Sequence, residues 1–193
     1  MPREEQAVAT RTELLRVARE LFAARGYADV GTEEIVRGAH VTRGALYHHF
    51  EDKRDLFRAV HLQIVDELLA SIVEQTAGSA DAWEALTRGV RAFLDACTDP
   101  AVIRISHLDA PAVLGWAEWR EIDAERWLGL VTMALQEAMD SGVLRRREVQ
   151  PLAHMLMGAM VEASMLIANA ADPAAARTEV EGPLLALLEG LRT

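Results

Sequence analysis

The chain has 193 residues, 51% of them apolar, enough for one or two modest domains with real cores, and that excludes global disorder. A single cysteine, Cys97, excludes an intramolecular disulfide framework and fits a reducing cytoplasm. Neither a charged-then-apolar leader nor an apolar run of membrane-spanning length stands out. The net charge of −10 is unevenly placed, because residues 1–60 hold ten Lys/Arg and ten Asp/Glu whereas residues 61–193 hold ten and twenty. Phosphate would repel the acidic body, so only the neutral N-terminal segment suits a nucleic-acid surface.

Residues 1–9 are polar and expected to fray, with Arg3 able to reach a minor groove as the alternative. From Thr10 or Arg11 the spacing predicts an amphipathic helix that buries Leu14, Leu15, Ala18, Leu21 and Phe22, and Gly26 ends it. Thr32 is a good N-cap for a second helix, with Glu33 and Glu34 at its positive end and Ile35, Val36 and Ala39 on its apolar side. A turn-length break follows at Ala39–Thr42, and Thr42 caps a third helix.

That third helix has two faces. Leu46 and Phe50, four apart, make an apolar stripe, while Arg43 and Tyr47, also four apart, lie elsewhere with Gly44 and His48 beside them. Such a helix docks by one side and presents a cation, a phenol and an imidazole on the other, a combination that suits the DNA major groove. Asp52 then caps a long helix to about Thr76, buried through Leu56, Phe57, Val60, Ile64 and Leu68, and long enough at about 1.5 Å per residue to run from one domain into another.

The runs Arg11–Tyr27, Gly31–Ala39 and Val41–Phe57, the last reading Val-Thr-Arg-Gly-Ala-Leu-Tyr-His-His-Phe-Glu-Asp-Lys-Arg-Asp-Leu-Phe, resemble the DNA-binding domain of TetR-type transcriptional regulators. The resemblance covers about residues 10–60. It implies an all-α homodimer: an N-terminal three-helix helix-turn-helix domain over residues 1–55, joined by the long helix to a ligand-binding and dimerisation domain over 56–193. Carried over residue by residue, it gives phosphate contacts to Thr32, Thr42 and Lys53 and groove-facing positions to Arg43, Gly44 and Ala45. Tyr47, His48 and His49 would hold the DNA backbone, with interhelical packing as the alternative for the two histidines. Arg43 is the candidate for bidentate guanine recognition, and a side chain at Gly44 would hold the helix off the groove. One position departs from the pattern, because His40 stands where the family carries glycine in the turn, and a positive φ is uncommon there for other residues.

Beyond the Ala77–Ala80 break, helices are expected over about 80–97, from Pro100 through His107, over 112–117, 118–140 and 150–170, and from Pro173 to about Leu191 with Pro183 kinking or interrupting it. Trp116, Trp119 and Trp127, together with Phe93, His107, Asp109 and Met133, are candidate walls of a ligand pocket, with core packing as the alternative for each. The stretch Asp109–Trp116 resembles one found in a subgroup of TetR-type regulators from actinobacteria. The small and apolar residues Gly158, Ala159, Ala163, Leu184 and Leu188 are candidates for a dimer interface, as the family's terminal helices imply.

Enzyme chemistry finds no support. There is no glycine-rich phosphate loop, no Gly-x-Ser-x-Gly elbow and no carboxylate three residues before any of the six histidines, and Cys97 has no cysteine partner for zinc. The expectation is a cytoplasmic, ligand-responsive regulator with no cofactor, no metal and no membrane association. Its partners would be a double-stranded DNA operator, a small apolar or amphipathic effector and a second copy of itself. The alternative, an all-helical small-molecule-binding protein or enzyme without DNA, leaves Arg43, Tyr47, His49 and Lys53 unexplained together.

Overall fold

The computed structural model describes residues 3–193, with side chains from Glu5 onward. Its elements are α1 (Arg3–Arg25), α2 (Thr32–Gly38), α3 (Arg43–His49), α4 (Lys53–Thr76), α5 (Ala82–Ala96), a π-helical segment (Val102–Asp109), α6 (Ala110–Leu114), α7 (Trp116–Asp140), α8 (Val149–Ala168) and α9 (Pro173–Glu189). Among the described residues the only β pairing is an isolated bridge between Leu144 and Arg192. Two compact units share the chain. Unit 1 holds residues 1–64 and 100–119; unit 2 holds residues 65–99 and 120–193.

Unit 1 is built on α1 to α3 and the first half of α4. Leu14, Ala18, Phe22, Ile35, Leu46, Leu56, Phe57 and Val60 are fully sealed from solvent. Phe22 and Phe57 meet edge to face at 5.3 Å, and the Tyr27 ring closes the cluster 5.1 Å from Phe57. Leu21, expected in this core, is only half-buried, and Val17 takes part instead. α1 starts at Arg3, earlier than its apolar pattern, so the polar lead-in expected to fray is helical from Arg3 on; Met1 and Pro2 lie outside the described residues. Gly31, not Thr32, is the extended residue that precedes α2, which makes Thr32 its first helical residue.

Residues 100–119 belong to unit 1 although the chain placed them well inside the expected second domain. Pro100 does open a helical stretch, but from Val102 to Asp109 the turns are widened, a geometry that recurs at functional positions.

Unit 2 packs α5, α7, α8 and α9 with the second half of α4. Its core runs through Val90, Leu94, Leu135, Ala138, Ala153, Ile167, Leu184 and Leu188. Pro183 sits inside α9 and the helix continues past it, so the expected interruption does not occur. α8 holds an 18-residue window of mean hydropathy 1.4, long and apolar enough to match a membrane span by length and composition, contrary to the sequence expectation. A helix apolar on both faces also fits burial between two protein layers. One of its faces already packs against α9 and α5.

Candidate nucleic-acid interface and cavity

The outward side of α3 is almost free of duties to its own fold. Thr42 accepts from the Ala45 N–H at 3.2 Å and so caps the helix. Leu46 and Phe50 are 0% and 3% exposed and anchor it, whereas Thr42, Arg43, Gly44, Tyr47 and His48 are exposed, with Ala45 and His49 half-buried. Arg43 donates to Glu33 at 3.0 Å and its guanidinium lies 5.5 Å from the Tyr47 ring centroid. Both partners of that ion pair are about two-thirds exposed (63% and 65%), so water competes for it and it holds Arg43 only weakly. A Cβ on Gly44 would meet nothing nearer than the Thr42 hydroxyl, at 3.8 Å. Nothing in unit 1 therefore requires glycine there.

The turn before α3 answers the question raised by His40. Its φ is 54°, the only positive value at a non-glycine position among the described residues. The Val41 N–H donates to Val36 O at 3.0 Å and the His40 N–H to Arg37 O at 3.2 Å. This paired closure is the Schellman ending of a helix, with His40 at the left-handed position that glycine normally fills. The backbone is satisfied and a modest conformational strain stays in the turn.

Lys53 is differently engaged. Its ammonium donates to Tyr27 O at 2.5 Å and sits 4.0 Å from the Tyr27 ring centroid, and burial lowers its pKa below the usual lysine value. It therefore braces the α1–α2 corner, and a phosphate contact would require its release. The same corner is held from the π-helical segment. The Tyr27 N–H donates to the Asp109 carboxylate at 2.7 Å, and Arg104 donates to Arg25 O at 3.2 Å. Gly26 makes room for this, with φ of 82° and a hypothetical Cβ only 2.0 Å from the Arg104 guanidinium. On α4, Arg54 and Arg58 both grip Glu118, at 2.5 and 2.8 Å, and Arg54 also donates to the Val113 and Leu114 carbonyls.

Behind these contacts lies a sealed imidazole pair. His61 is 2% exposed and its Nδ1 lies 3.1 Å from the Ser106 hydroxyl. Neither ring nitrogen of His107 finds a hydrogen-bond partner among the described residues. Burial, with the neighbouring His107 and Arg58 charges, pushes His61 down to about 4, and burial alone pushes His107 down to about 4. Trp119 is buried and donates to Ser106 O at 3.0 Å, with the exposed Trp116 ring 5.0 Å away. His107, Asp109, Trp116 and Trp119 thus belong to unit 1, where they hold residues 100–119 together and to the α1–α2 corner.

Unit 2 holds a partly open cavity of about 580 Å³, with Val73, Asp81, Met133 and Glu137 exposed along its wall. Of the seven candidate pocket residues only Trp127 and Met133 line it; Phe93 stands behind Trp127, edge to face at 5.8 Å. The remaining wall comes from Ile72 and Thr76 at the end of α4, the α4–α5 loop with Asp81, Leu86 and Val90 of α5, Ala134 and Glu137 of α7, and Leu156 of α8. No motif marks these positions; four helices contribute to the wall, each at helical spacing indistinguishable from ordinary core.

The terminal helices also redistribute the expected dimer residues. Ala163, Leu184 and Leu188 are 6%, 4% and 0% exposed and serve the core of unit 2, and Ala159 is half-buried, whereas Gly158 is open. Beside Gly158, the exposed apolar side chains of α8 are Met155 and Leu166, 72% and 53% exposed, and α9 adds Leu187 at 61%. Of the residues the sequence suggested, Gly158 thus lies on the uncovered face, while Ala163, Leu184 and Leu188 point into the core.

Residues 14–60 match the description "Bacterial regulatory proteins, tetR family", and residues 83–191 match "Tetracyclin repressor-like, C-terminal domain". The chain is 29% identical to the Tn10 TetC protein of Escherichia coli over 158 residues, covering 80% of this chain and 78% of that protein. It is 36% identical to the transcriptional activator FasR of Mycolicibacterium smegmatis over 95 residues, 49% of this chain and 42% of that protein. A TetR-family regulator from Pectobacterium atrosepticum has the same fold throughout, with a TM-score of 0.90, 34% identity, and coverage of 100% of this chain and 98% of that one. An exposed, self-capped α3 in a helix-turn-helix, joined to a helical body with its own cavity, agrees with both matches: the chain belongs to the TetR family of DNA-binding transcriptional regulators.

Proposed function

We propose that the protein acts as a cytoplasmic homodimeric repressor of a near-palindromic operator, relieved by a small molecule that enters the unit 2 cavity. The observation that carries the DNA half is the polar side of α3, which is uncovered and supplies Arg43 and Tyr47 with only a solvent-exposed ion pair to give up. Two copies of α3 would enter successive major grooves, about 34–36 Å apart or somewhat more. Arg43 would read guanine, Gly44 and Ala45 would let the backbone approach, and Thr32, Thr42, Tyr47, His48 and His49 would hold phosphates.

The dimer reading rests on the uncovered stripe of Met155, Gly158, Leu166 and Leu187 on α8 and α9. Large exposed apolar side chains on the last two helices suit an association surface, and the bare Gly158 backbone would let a second helix come close. The effector reading rests on the connectivity of the chain. α5 and α7 line the cavity, and the stretch between them, residues 100–119, is clamped to α1 and α4 of unit 1 by Asp109, Arg104 and Glu118. A molecule that binds one conformer of the cavity more tightly therefore shifts the population of DNA-competent unit 1, by at most its differential affinity.

Selection of bound fragments from a random DNA pool tests this reading. Recovery of a two-fold symmetric site with half-sites about one helical turn apart is the expected result. Enrichment of no sequence, or of single unpaired half-sites only, would contradict it.

A further inference from the structure

The polar atoms in the cavity wall make a chemical choice. We propose that the cavity takes an apolar molecule ending in a cation, such as a protonated amine or amidine, and turns carboxylates away. This deepens the effector reading above and rests on it for its biological meaning, though not for its chemistry.

Asp81 and Glu137 are the charged side chains of the wall, and no lysine or arginine stands among the described residues that line it. Its hydroxyls point the same way. Thr76 donates to Ile72 O at 2.9 Å and Ser79 donates to Thr76 O at 2.8 Å, so both turn their protons into the backbone and leave lone pairs outward. The last turn of α4 lines the cavity and brings the negative end of its helix dipole with it. The positive end of α5 nearby is already answered, because Asp81 Oδ1 accepts from the Glu84 N–H at 2.8 Å and Glu84 accepts from the Ala80 N–H at 2.6 Å. A carboxylate entering here would meet acceptors and negative charge. A cation would find carboxylates at Asp81 and Glu137, hydroxyl lone pairs at Thr76 and Ser79, and the aromatic ring of Trp127 along the wall.

The body of the ligand is set by the rest of the wall. Ile72, Leu86, Val90, Leu130, Ala134 and Leu156 are aliphatic, and about 580 Å³ accommodates a drug-sized molecule. Unit 2 as a whole carries nine Lys/Arg against eighteen Asp/Glu, so its field favours arrival of a cation over an anion.

The test uses the intact, DNA-free protein and three probes of one chain length, decylammonium, decanol and decanoate, each below its micelle threshold and followed by calorimetry. The expected order is ammonium, then alcohol, then carboxylate, with at least tenfold between the first and last. Glu137→Gln and Asp81→Asn, the second keeping a side chain able to cap α5, should bring ammonium affinity down toward that of the alcohol and leave the alcohol unchanged. Ala134→Trp, which fills the cavity, should abolish all three. Decanoate binding as tightly as decylammonium, full ammonium preference in both carboxamide variants, undiminished binding to Ala134→Trp, or no binding of any probe would each overturn the proposal. Release from the selected DNA is measured separately. Decylammonium bound in the cavity with the protein still on DNA would contradict the effector reading while leaving the cation site standing.

Discussion

The outward face of α3 and the wall of the cavity are both proposed meeting places for partners, yet they are assembled in opposite ways. Seven consecutive residues, Arg43–His49, make up α3, capped by Thr42 and anchored through Leu46 and Phe50. The cavity draws on positions scattered from Ile72 to Met160 along four helices and a loop. A contiguous site imposes spacing on the sequence and can be found there, whereas a dispersed one imposes only size and polarity on each contributor. The electrostatics divide along the same line: unit 1 holds eleven Lys/Arg against twelve Asp/Glu, and unit 2 holds nine against eighteen.

The two units should also titrate in opposite senses, and this gives the largest predicted effect. His61 and His107 in unit 1 fold with pKa values near 4, below the unfolded value of about 6.5. Their contribution is complete above the unfolded value and is lost as the pH falls from there toward 4. Between pH 7 and 5 unit 1 should lose about 2 kcal/mol for each imidazole. Asp123 in unit 2 behaves in reverse, because burial raises it to about 6, against a pull downward from Arg120, and acidification through that value relieves the strain of its charge. Amide exchange should show protection collapsing in α1–α3 at pH 5 while α8 and α9 hold. Equal loss in both units would break the contrast.

Next in size is the dimer face. Leu166→Glu places a charge on the exposed side of α8 and should yield a folded monomer whose operator affinity is about a hundredfold weaker, since the second half-site no longer binds as part of the same molecule. Light scattering that still gives a dimer would move the interface elsewhere.

Gly44→Ala separates the needs of the fold from those of DNA. Helix propensity favours alanine by roughly 0.5–1 kcal/mol, and the space beside Gly44 is open, so the variant should melt higher. It should nevertheless bind the selected operator less tightly, by about tenfold on the 1.4 kcal/mol scale of one lost close contact. A variant both more stable and fully active would mean that α3 does not press its N-terminal turn into the groove. The smallest effect belongs to the turn, where His40→Gly should raise stability by at most about 1 kcal/mol by relieving the left-handed backbone, with operator affinity unchanged. A loss of stability would show that the imidazole itself holds the turn.

These contrasts also show what was legible in the residues beforehand. The three N-terminal helices, the Thr42 cap and the buried pair Leu46 and Phe50 follow from local spacing and cap chemistry, the unusual backbone at His40 follows from the glycine that the family resemblance puts in that turn, and the structure agrees. Asp109 and His107 stand out in the sequence as a polar handle beside tryptophans. Asp109, however, accepts from Tyr27, and His107 is buried near His61 with no hydrogen-bond partner among the described residues, neighbours that the chain brings near only on folding. Arg54 and Arg58 gave no sign of gripping Glu118 sixty residues on, because a basic pair at four-residue spacing also describes any solvated helix face. Ala163, Leu184 and Leu188 pack inward, and apolarity alone does not say which side of α8 or α9 faces its own core.

The central claim, that α3 reads base sequence, is tested most directly by measuring wild type and Arg43→Ala on the selected site and on its single-base substitutions at fixed salt. The expected result is a loss of about 1–3 kcal/mol on the selected site, together with loss of preference at one base pair in each half-site. Unchanged affinity with unchanged preference at every position would contradict the assignment of Arg43, and with it the reading of α3 as the helix that recognises DNA.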